Sequence, residues 1–519
     1  MAMLRGLVLG VVAILSCSPA LARPPVPCEA MLGDLWGERP AADDVRTIDG
    51  TTVTSPAQLA QMVGTGAIVQ GGDFSEWDFR RVTLGATCFV ESTLKGSVWN
   101  GANAPGIGFF KTDLSEASLS GMRAPGVLFR DAILTNVKAD KADFSGGMLE
   151  GGWFDGSIDG WNLDGANLTE FAFSCGITLS DGCPLQGDAR PVLARGTNFS
   201  GAALSSFRRY GLDAFDLEGA ILDRTELSPG QLASLKGRMI VHPLVLVGGD
   251  SRIELSAAEA QALIDDAAIM ASRATGPSFD CAKAASAAEK AVCHPDAGDL
   301  AQADRELGAL FAELRKARPA IVADQRQWLK TRDGCMTKEY PSDCLRTVYA
   351  ERQSKLLGMQ GERDWLAPGR GALFIDDELP LSDAIRASGL FARIAPLLAK
   401  ASLGYVHVAR AADGSYAASG ESIGANAHTC SLGASGLRLD PATGWYGLRD
   451  PTTQGRVSIF QMRGDWLTVF ASGRPSGDEA EASADYVSCG ARAAFGPMRR
   501  IALPDAIVES YANRAGMEP

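Results

Sequence analysis

Histidine is scarce in this chain. His242, His294, His407 and His428 are the only four among 519 residues, and they form no ligand-spaced cluster, so no metal site is read from them. Long apolar runs are missing too. Past residue 22 no stretch reaches 18 uninterrupted apolar residues, which leaves the remainder without a membrane-spanning helix. Basic residues are the minority, 49 Lys and Arg against 62 Asp and Glu, for a formal net charge of −13. That balance argues against nucleic acid and anionic membrane surfaces as partners, and fits either plain solubility or a basic partner. Glycine-rich fragments such as Val247-Gly248-Gly249-Asp250 lack the phosphate-loop and dinucleotide patterns, so no cofactor is expected. No catalytic constellation is found either. Cys293-His294 is a thiol beside an imidazole, but the cysteine reads better as half of a disulfide, and carboxylate pairs that could form a glycosidase dyad read as solvated acidic faces. The expectation is a protein that is not an enzyme.

What is present begins with a leader. Met1 to Ala22 has Arg5 in a short first region, an apolar core from Gly6 to Ser16, and Ala20-Leu21-Ala22 as a small-x-small cleavage site, so the mature chain is expected to start at Arg23. A rival reading makes Cys17 a lipidated cysteine, because Ile14-Leu15-Ser16-Cys17 partly resembles a bacterial lipobox. The expected location is therefore periplasmic or secreted, with an outer-membrane lipoprotein as the alternative. Ten cysteines remain after Cys17, an even number in a chain with an export leader, which points to disulfides. Proximity or shared domain pairs Cys175 with Cys183, Cys335 with Cys344 and Cys430 with Cys489; elimination then pairs Cys28 with Cys88 and Cys281 with Cys293.

At 519 residues several cores are expected. From about Gln70 to Leu227 one large apolar residue returns at every fifth position, as in Phe74, Phe79, Leu84, Phe89, Leu94, Trp99, Phe109, Leu114 and Leu119. Helices repeat at 3.6 and strands at 2.0, so a period of five means very short extended pieces separated by fixed turns, the mark of a solenoid. The position two before each centre is mostly small or compact, for example Thr87, Ser92, Ala102, Thr112 and Ala117. Units such as Thr112-Asp113-Leu114-Ser115-Glu116 and Ala166-Asn167-Leu168-Thr169-Glu170 resemble the A(D/N)LXX unit of the pentapeptide-repeat family. The resemblance implies a right-handed quadrilateral β-helix, four units to a coil, with the central residue and the small residue inward. At ~20 residues per coil and ~4.8 Å per coil the rod is about seven coils, on the order of 35 Å long. Three centres are Ala (104, 124 and 139), which predicts thin places inside; the frame slips by one after Phe154; and the period stops between about Ser174 and Thr197. Cys175 to Cys183 reads as a disulfide-closed loop standing off the rod. Some cytoplasmic members of the family mimic DNA and inhibit gyrase, a reading the leader opposes here.

Residues 23–69 form a lead-in and N-terminal cap, with Ser55 as N-cap and Pro56 at the first turn of a short helix. The repeat occupies 70–228. Residues 229–276 close it with a short helix, a strand over Met239 to Val247, and a helix opened by the capping box Ser256 to Glu259. Residues 277–358 change to a helical, cysteine-marked unit. Its landmarks are Phe279-Asp280-Cys281, Glu289-x-x-x-Cys293, Leu300-x-x-x-Asp304-x-x-Leu307, Gln325-x-x-Trp328-Leu329-x-x-Arg332-Asp333-x-Cys335 and Cys344-Leu345-x-x-x-Tyr349-x-x-Arg352. These resemble the N-terminal domain of the LprI-type lysozyme inhibitors of bacteria over about 80 residues, which implies a small disulfide-stapled all-α domain and a lysozyme as partner. Leu300, Ala303, Leu307, Leu310, Phe311 and Leu314 make one helical face, and Pro319 starts a second helix. Trp328, Arg332 and Asp333 are the candidate partner-binding residues; the competing reading is a core Trp with an Arg–Asp pair satisfying helix ends. The unit holds 13 Lys and Arg against 12 Asp and Glu, whereas 70–228 holds 21 acids against 13 bases, so the acidic surface lies on the rod.

Residues 359–402 read as a mixed linker with a helix from Ser382 to about Lys400, and 403–519 as a small β-rich domain stapled by Cys430 and Cys489, with runs at 404–408, 457–463, 465–471 and 491–495. The functional expectation is an exported bacterial protein that binds another protein, lysozyme inhibition being its most concrete version. The alternative is a periplasmic envelope scaffold without inhibitor activity.

Overall fold

A computed structural model describes residues 27–32, 45–174, 191–205, 211–273, 276–362, 365–424, 428–452, 454–470, 485–490 and 493–512. The leader, Cys17, Cys175 and Cys183 lie outside these residues.

The period of five becomes a parallel β-helix. Strands Gly66–Gln70, Ala86–Val90, Gly108–Phe110, Leu128–Arg130 and Met148–Glu150 stack in parallel, placing Val69, Phe89, Phe109, Phe129 and Leu149 one above another. Three more ladders of parallel bridges complete the four walls: Asp73, Thr93, Asp113 and Ile133; Asp78, Val98, Ser118 and Lys138; Asn103, Arg123 and Asp143. Successive partners are 20 residues apart until the slip, where Trp153 faces Ala172 and Phe154 faces Phe173. The repeat then resumes with Asn167 facing Asn198 and Ala172 facing Ala203. The central residues are buried along the rod apart from the half-buried Leu222 near its end.

The Ala centres do not leave thin places. Trp161 is fully buried, packs edge-on against Phe144 and Phe154 at 5.1 and 4.7 Å, and donates its indole N–H to the Ala139 carbonyl at 2.7 Å. Beside the other two, Ile107 and Met122 put larger buried side chains into positions that are elsewhere small. Trp99 stacks on Phe79 at 4.0 Å and extends the aromatic file.

Both ends of the rod are covered. Helix Pro56–Val63, capped by Ser55, buries Leu59 and Val63 against the first coil. At the other end Ser228 and Gln231 form a capping box on helix Pro229–Ser234. Strand Leu244–Gly248 then continues the parallel ladder from Glu226–Leu227 and turns back antiparallel into Ser251–Leu255. Residues 239–243 are not part of that strand; Met239 and Val241 stand exposed in the preceding loop. The stretch 382–400 contains two helices, Asp383–Arg386 and Gly389–Ala401, because Ser388 supplies a second N-cap. The second packs on the closing strands so tightly that a Cβ on Gly248 would lie 2.5 Å from the Leu397 carbonyl oxygen.

In 277–358 the main helices are Ala287–Val292, Gly298–Ala317, Ile321–Gly334 and Pro341–Gln360. Their core gathers Val292, Leu300, Leu307, Leu314, Leu345, Tyr349 and Leu356. The helix after Pro319 opens two residues later than the proline, at Ile321.

Antiparallel strands Gly371–Asp376, Gly404–Arg410, Tyr416–Ile423, Thr429–Leu439, Tyr446–Arg449, Arg456–Arg463, Trp466–Val469 and Met498–Ile501 pair each with the next, and the last pairs back onto the first. The sheet closes on itself as a barrel, with Val487–Cys489 added beside Thr429–Leu439. Its first strand comes from the stretch read as linker, and its last is Met498–Ile501 rather than 491–495. Phe374, Val406, Tyr416, Leu432, Tyr446 and Ile459 fill the interior. Leu373, Ile375 and Ile501, on the opposite side of the wall, join the rod, its closing helices and helix Gly389–Ala401 in one continuous core.

Candidate functional site

Trp328, Arg332 and Asp333 share helix Ile321–Gly334, but their side chains have different surroundings. Arg332 is 4% exposed. Its Nε and Nη2 donate to Asp333 Oδ1 at 3.0 and 2.7 Å, and Nη2 lies 3.7 Å from Glu289. Trp328 is half-buried, packs edge-on to Tyr349 at 5.1 Å and donates its indole N–H to the Val348 carbonyl. Tyr349 donates to Asp304 Oδ2 at 2.7 Å, and Asp304 Oδ1 accepts from Ser278 N–H and Oγ–H. Burial, followed by the neighbouring Asp304 carboxylate, pushes the Tyr349 phenol up, which keeps it a donor. The cluster joins the start of the unit to three helices. Of the three residues, only Asp333 is exposed.

The rod's acidic surface also has a structural use. The residue before each centre is often Asp or Asn, and its side chain accepts the backbone N–H two residues on: Asp73 from Ser75, Asp113 from Ser115, Asp143 from Ser145, Asn167 from Thr169 and Asn198 from Ser200, all between 2.9 and 3.3 Å. These Asx turns shape the corners, whose following residues often take the left-handed conformation, as at Glu116 (φ 62°) and Glu170 (φ 56°). Much of the acid excess is thus set by the corners rather than by a partner.

Two units of one wall place large apolar residues in this slot. Ile133 and Trp153 occupy the position before the centres Leu134 and Phe154, face outward, and pair in register on adjacent coils. They are 46% and 44% exposed. Asp113 lies directly below Ile133 on the same ladder. Asp131 and Asp155 stand two residues from Ile133 and Trp153 respectively, and Glu170 two residues before Ala172 on the next coil. Lys138 closes the strand that carries Ile133, and Lys111 and Arg130 directly precede the segments of Asp113 and Asp131. Sequence reading passed over this pair because it followed the inward period; a bulky apolar residue where Asp, Asn, Ser or Thr is usual was the available signal.

Four of the five expected disulfides join described residues: Cys28–Cys88, Cys281–Cys293, Cys335–Cys344 and Cys430–Cys489. The first binds helix Pro27–Leu32 across the outside of the rod, where Met31 and Leu32 pack over Ile68, Val90, Phe110, Leu128 and Met148. Arg130 beneath it donates to Glu150 at 2.8 Å and lies 3.8 Å from Glu29. Gly108 makes room for the bridge, since a Cβ there would overlap Cys28 Sγ.

Among the described residues no group of three or more His, Cys, Asp or Glu is arranged to hold a metal ion, and no helix is long and apolar enough to cross a membrane. His242, His294 and His428 are dispersed. His407 is buried in the barrel wall with Nε2 unbonded; desolvation lowers its pKa against an opposing effect of Glu509. The groove beside it, about 590 Å³, is lined by Ala409, Ala417, Gly433 and Ala434 and brings no carboxylate pair to the imidazole.

Residues 112–151 match the family model for pentapeptide repeats, with 8 copies. The match names the repeat and does not reach 278–357. Similar solved structures include QnrB1, described as a plasmid-mediated fluoroquinolone resistance protein, at 15% identity over 31% of this chain and 84% of that one, TM-score 0.19. HetL, a pentapeptide repeat protein involved in heterocyst differentiation regulation from Nostoc sp. strain PCC 7120, is 20% identical over 31% of this chain and 86% of its own, TM-score 0.13. A pentapeptide repeat protein from the thylakoid lumen of Arabidopsis thaliana is 26% identical over 25% of this chain and 74% of its own, TM-score 0.12. Comparison with curated proteins gives no match.

Proposed function

We propose that this chain is an exported, non-catalytic scaffold that binds protein partners, using the pentapeptide rod and the barrel as one rigid body and the helical unit as an attached module. The observation that carries the reading is the continuous core from Ile48 in the first coil to Tyr511 beyond the last barrel strand. A core shared across rod, closing helices and barrel wall resists relative motion, and that rigidity suits a surface for presenting partners at fixed spacing. The helical unit has its own core and meets the barrel at Gly358, whose Cβ, if present, would overlap the Pro441 carbonyl, and through the ion pair of Arg463 with Glu306.

Export is supported by four disulfides spread over all three parts, since such bonds persist in oxidising compartments. The leader and a periplasmic or secreted location belong to the same proposal. Lysozyme inhibition is the specific form implied by the resemblance of 278–357; burial of Arg332 means that an inhibitory surface there would rest on other residues. The test is fractionation with thiol trapping, followed by cross-linking of the full chain in envelope extract. Oxidised protein outside the cytosol, cross-linked to a defined protein, is the expected result. Reduced cytosolic protein overturns export, and failure to capture any protein overturns the scaffold. An unchanged rate of cell-wall hydrolysis by lysozyme at high molar excess of the chain removes the inhibitor form alone.

A further inference from the structure

We infer that the exposed basic face formed by the end of helix Gly298–Ala317, the turn after it and helix Ile321–Gly334 is the docking surface of the helical unit, and that it takes an acidic segment of a partner protein. The inference rests on the scaffold reading and names the partner chemistry of its attached module.

Residues 313–331 hold the cations Arg315, Lys316, Arg318, Arg326 and Lys330 against the carboxylates Glu313 and Asp324. All five cations are exposed, and none of their side chains has a hydrogen-bond or ion-pair partner among the described residues. Both carboxylates are engaged: Glu313 accepts from Gln360, and Asp324 pairs with Arg352 and Lys355. Those contacts also bring the two halves of the stretch together, because Gln360 and Lys355 lie roughly one and a half turns apart on helix Pro341–Gln360. Past the stretch, Asp333 is taken by Arg332 and Glu362 by Arg410. The neighbouring charges on helix Pro341–Gln360 are Glu351, Arg352 and Lys355, which leave the surplus positive.

Folding does not account for that surplus. Arg315 and Lys316 complement the dipole at the end of their helix, but Arg318 lies outside it and Arg326 stands in the middle of the next. Arg326 and Lys330, one turn apart and both exposed, repel each other. An acidic partner relieves this repulsion, and the arginines pair with its carboxylates through two parallel N–H groups. Range selects the occupant. Screening at physiological salt confines each charge to ~8 Å, so a short acidic segment laid on the face meets only its cations. An anionic membrane or a long polyanion extends past the face to a chain whose net charge is −13, and is repelled there. The other exposed residues of the face, Ala317, Pro319, Ala320, Ala323, Gln327 and Thr331, offer no large apolar side chain for insertion into lipid.

The experiment uses the full chain and two labelled peptides of equal length, one alternating glutamate with serine and one alternating glutamine with serine, read by fluorescence anisotropy. The glutamate peptide is expected to bind, less tightly as salt is added, and the glutamine peptide not to. The triple variant Arg318→Gln, Arg326→Gln and Lys330→Gln is expected to bind the glutamate peptide about 10-fold more weakly, the loss of three exposed ion pairs, and with a flatter dependence on salt. All three positions are on the surface, and unaltered amide-exchange protection across 287–334 confirms the fold of the variant. Lys236→Gln, at an exposed cation outside the helical unit, is expected to leave binding unchanged.

Equal binding of the two peptides, or undiminished binding by the triple variant, overturns the proposal. Co-sedimentation of the wild type, and not of the triple variant, with vesicles of phosphatidylglycerol and phosphatidylcholine assigns the face to a membrane and overturns the protein partner. Self-association that the triple variant loses assigns the face to the carboxylates of a second copy and overturns the external partner. An envelope protein cross-linked equally to the wild type and the triple variant overturns the docking face while leaving the scaffold standing. No capture by the wild type overturns the scaffold itself.

Discussion

Replacing Arg332 with alanine separates a structural guanidinium from a binding one. In the folded chain its side chain is almost fully enclosed and donates twice to Asp333, with Glu289 also in range. Glu289 is held below its usual range chiefly by the backbone N–H groups of Ser286 and Ala285, so it stays ionised when the arginine is removed. Breaking a buried pair costs about 3–5 kcal/mol, and the partial exposure of Asp333 and Glu289 lowers that to about 2–3 kcal/mol here. The loss falls on the helical unit, because its core is separate from that of the rod and barrel. A single melting curve of so large a chain is not two-state, so the suitable assay is amide exchange resolved by peptide. Protection across 287–334 is expected to fall about 30- to 150-fold while that of rod peptides is unchanged. An exposed anchor would instead change stability by less than about 0.5 kcal/mol. Unchanged protection together with lost partner binding would refute the interior assignment and restore Arg332 as an anchor.

Three further outcomes follow from individual contacts. Gly108→Ala is expected to prevent closure of the Cys28–Cys88 bridge, because the added methyl occupies the space of Cys28 Sγ; two newly alkylated thiols at 28 and 88 by mass spectrometry is the result that checks it. Asp113→Ala is expected to destabilise the rod by about 1 kcal/mol in urea and Asp113→Asn to be nearly neutral, since Asn keeps the acceptor for Ser115 N–H. Asp376 is raised to about 6, mainly by burial, so its folded pKa lies above the unfolded one. Stability from this group is present below pH 4 and lost as pH rises through 4 to 6, and Asp376→Asn is expected to stabilise the protein by about 1–2 kcal/mol at pH 8 after discounting for partial exposure, with no gain at pH 3.5. Equal gains at both pH values would refute it.

The rod was legible because its period is imposed by geometry at every coil, so Phe89, Phe109 and Phe129 repeat a single physical requirement. The barrel was only partly legible. Tyr416–Ile423 and Thr429–Leu439 read YAASGESI and TCSLGASGLRL, sequences poor in the β-branched and aromatic residues that mark strands. Their pairing comes from neighbours far away in sequence, including the closure of Gly371–Asp376 on Met498–Ile501, which no local pattern encodes. The small residues make sense once the wall is seen: a Cβ on Gly420 would overlap the Tyr405 carbonyl on the adjacent strand. Arg332 was visible as a motif, but a guanidinium's burial depends on three helices meeting, and spacing along one helix does not report that.

The acidity of the rod illustrates how composition and placement give different answers. Counting carboxylates marks the whole of 70–228 as a basic partner's target, yet Asp73, Asp113 and Asp143 are there because a corner needs an acceptor, and asparagine does the same work at 162, 167 and 198. Carboxylates spread by that rule produce a diffuse field, which speeds encounter but does not choose an orientation. Orientation needs a feature that the rule does not produce. On this rod such features are the outward Ile133, Trp153 and Ile221, because the corner chemistry has no use for them.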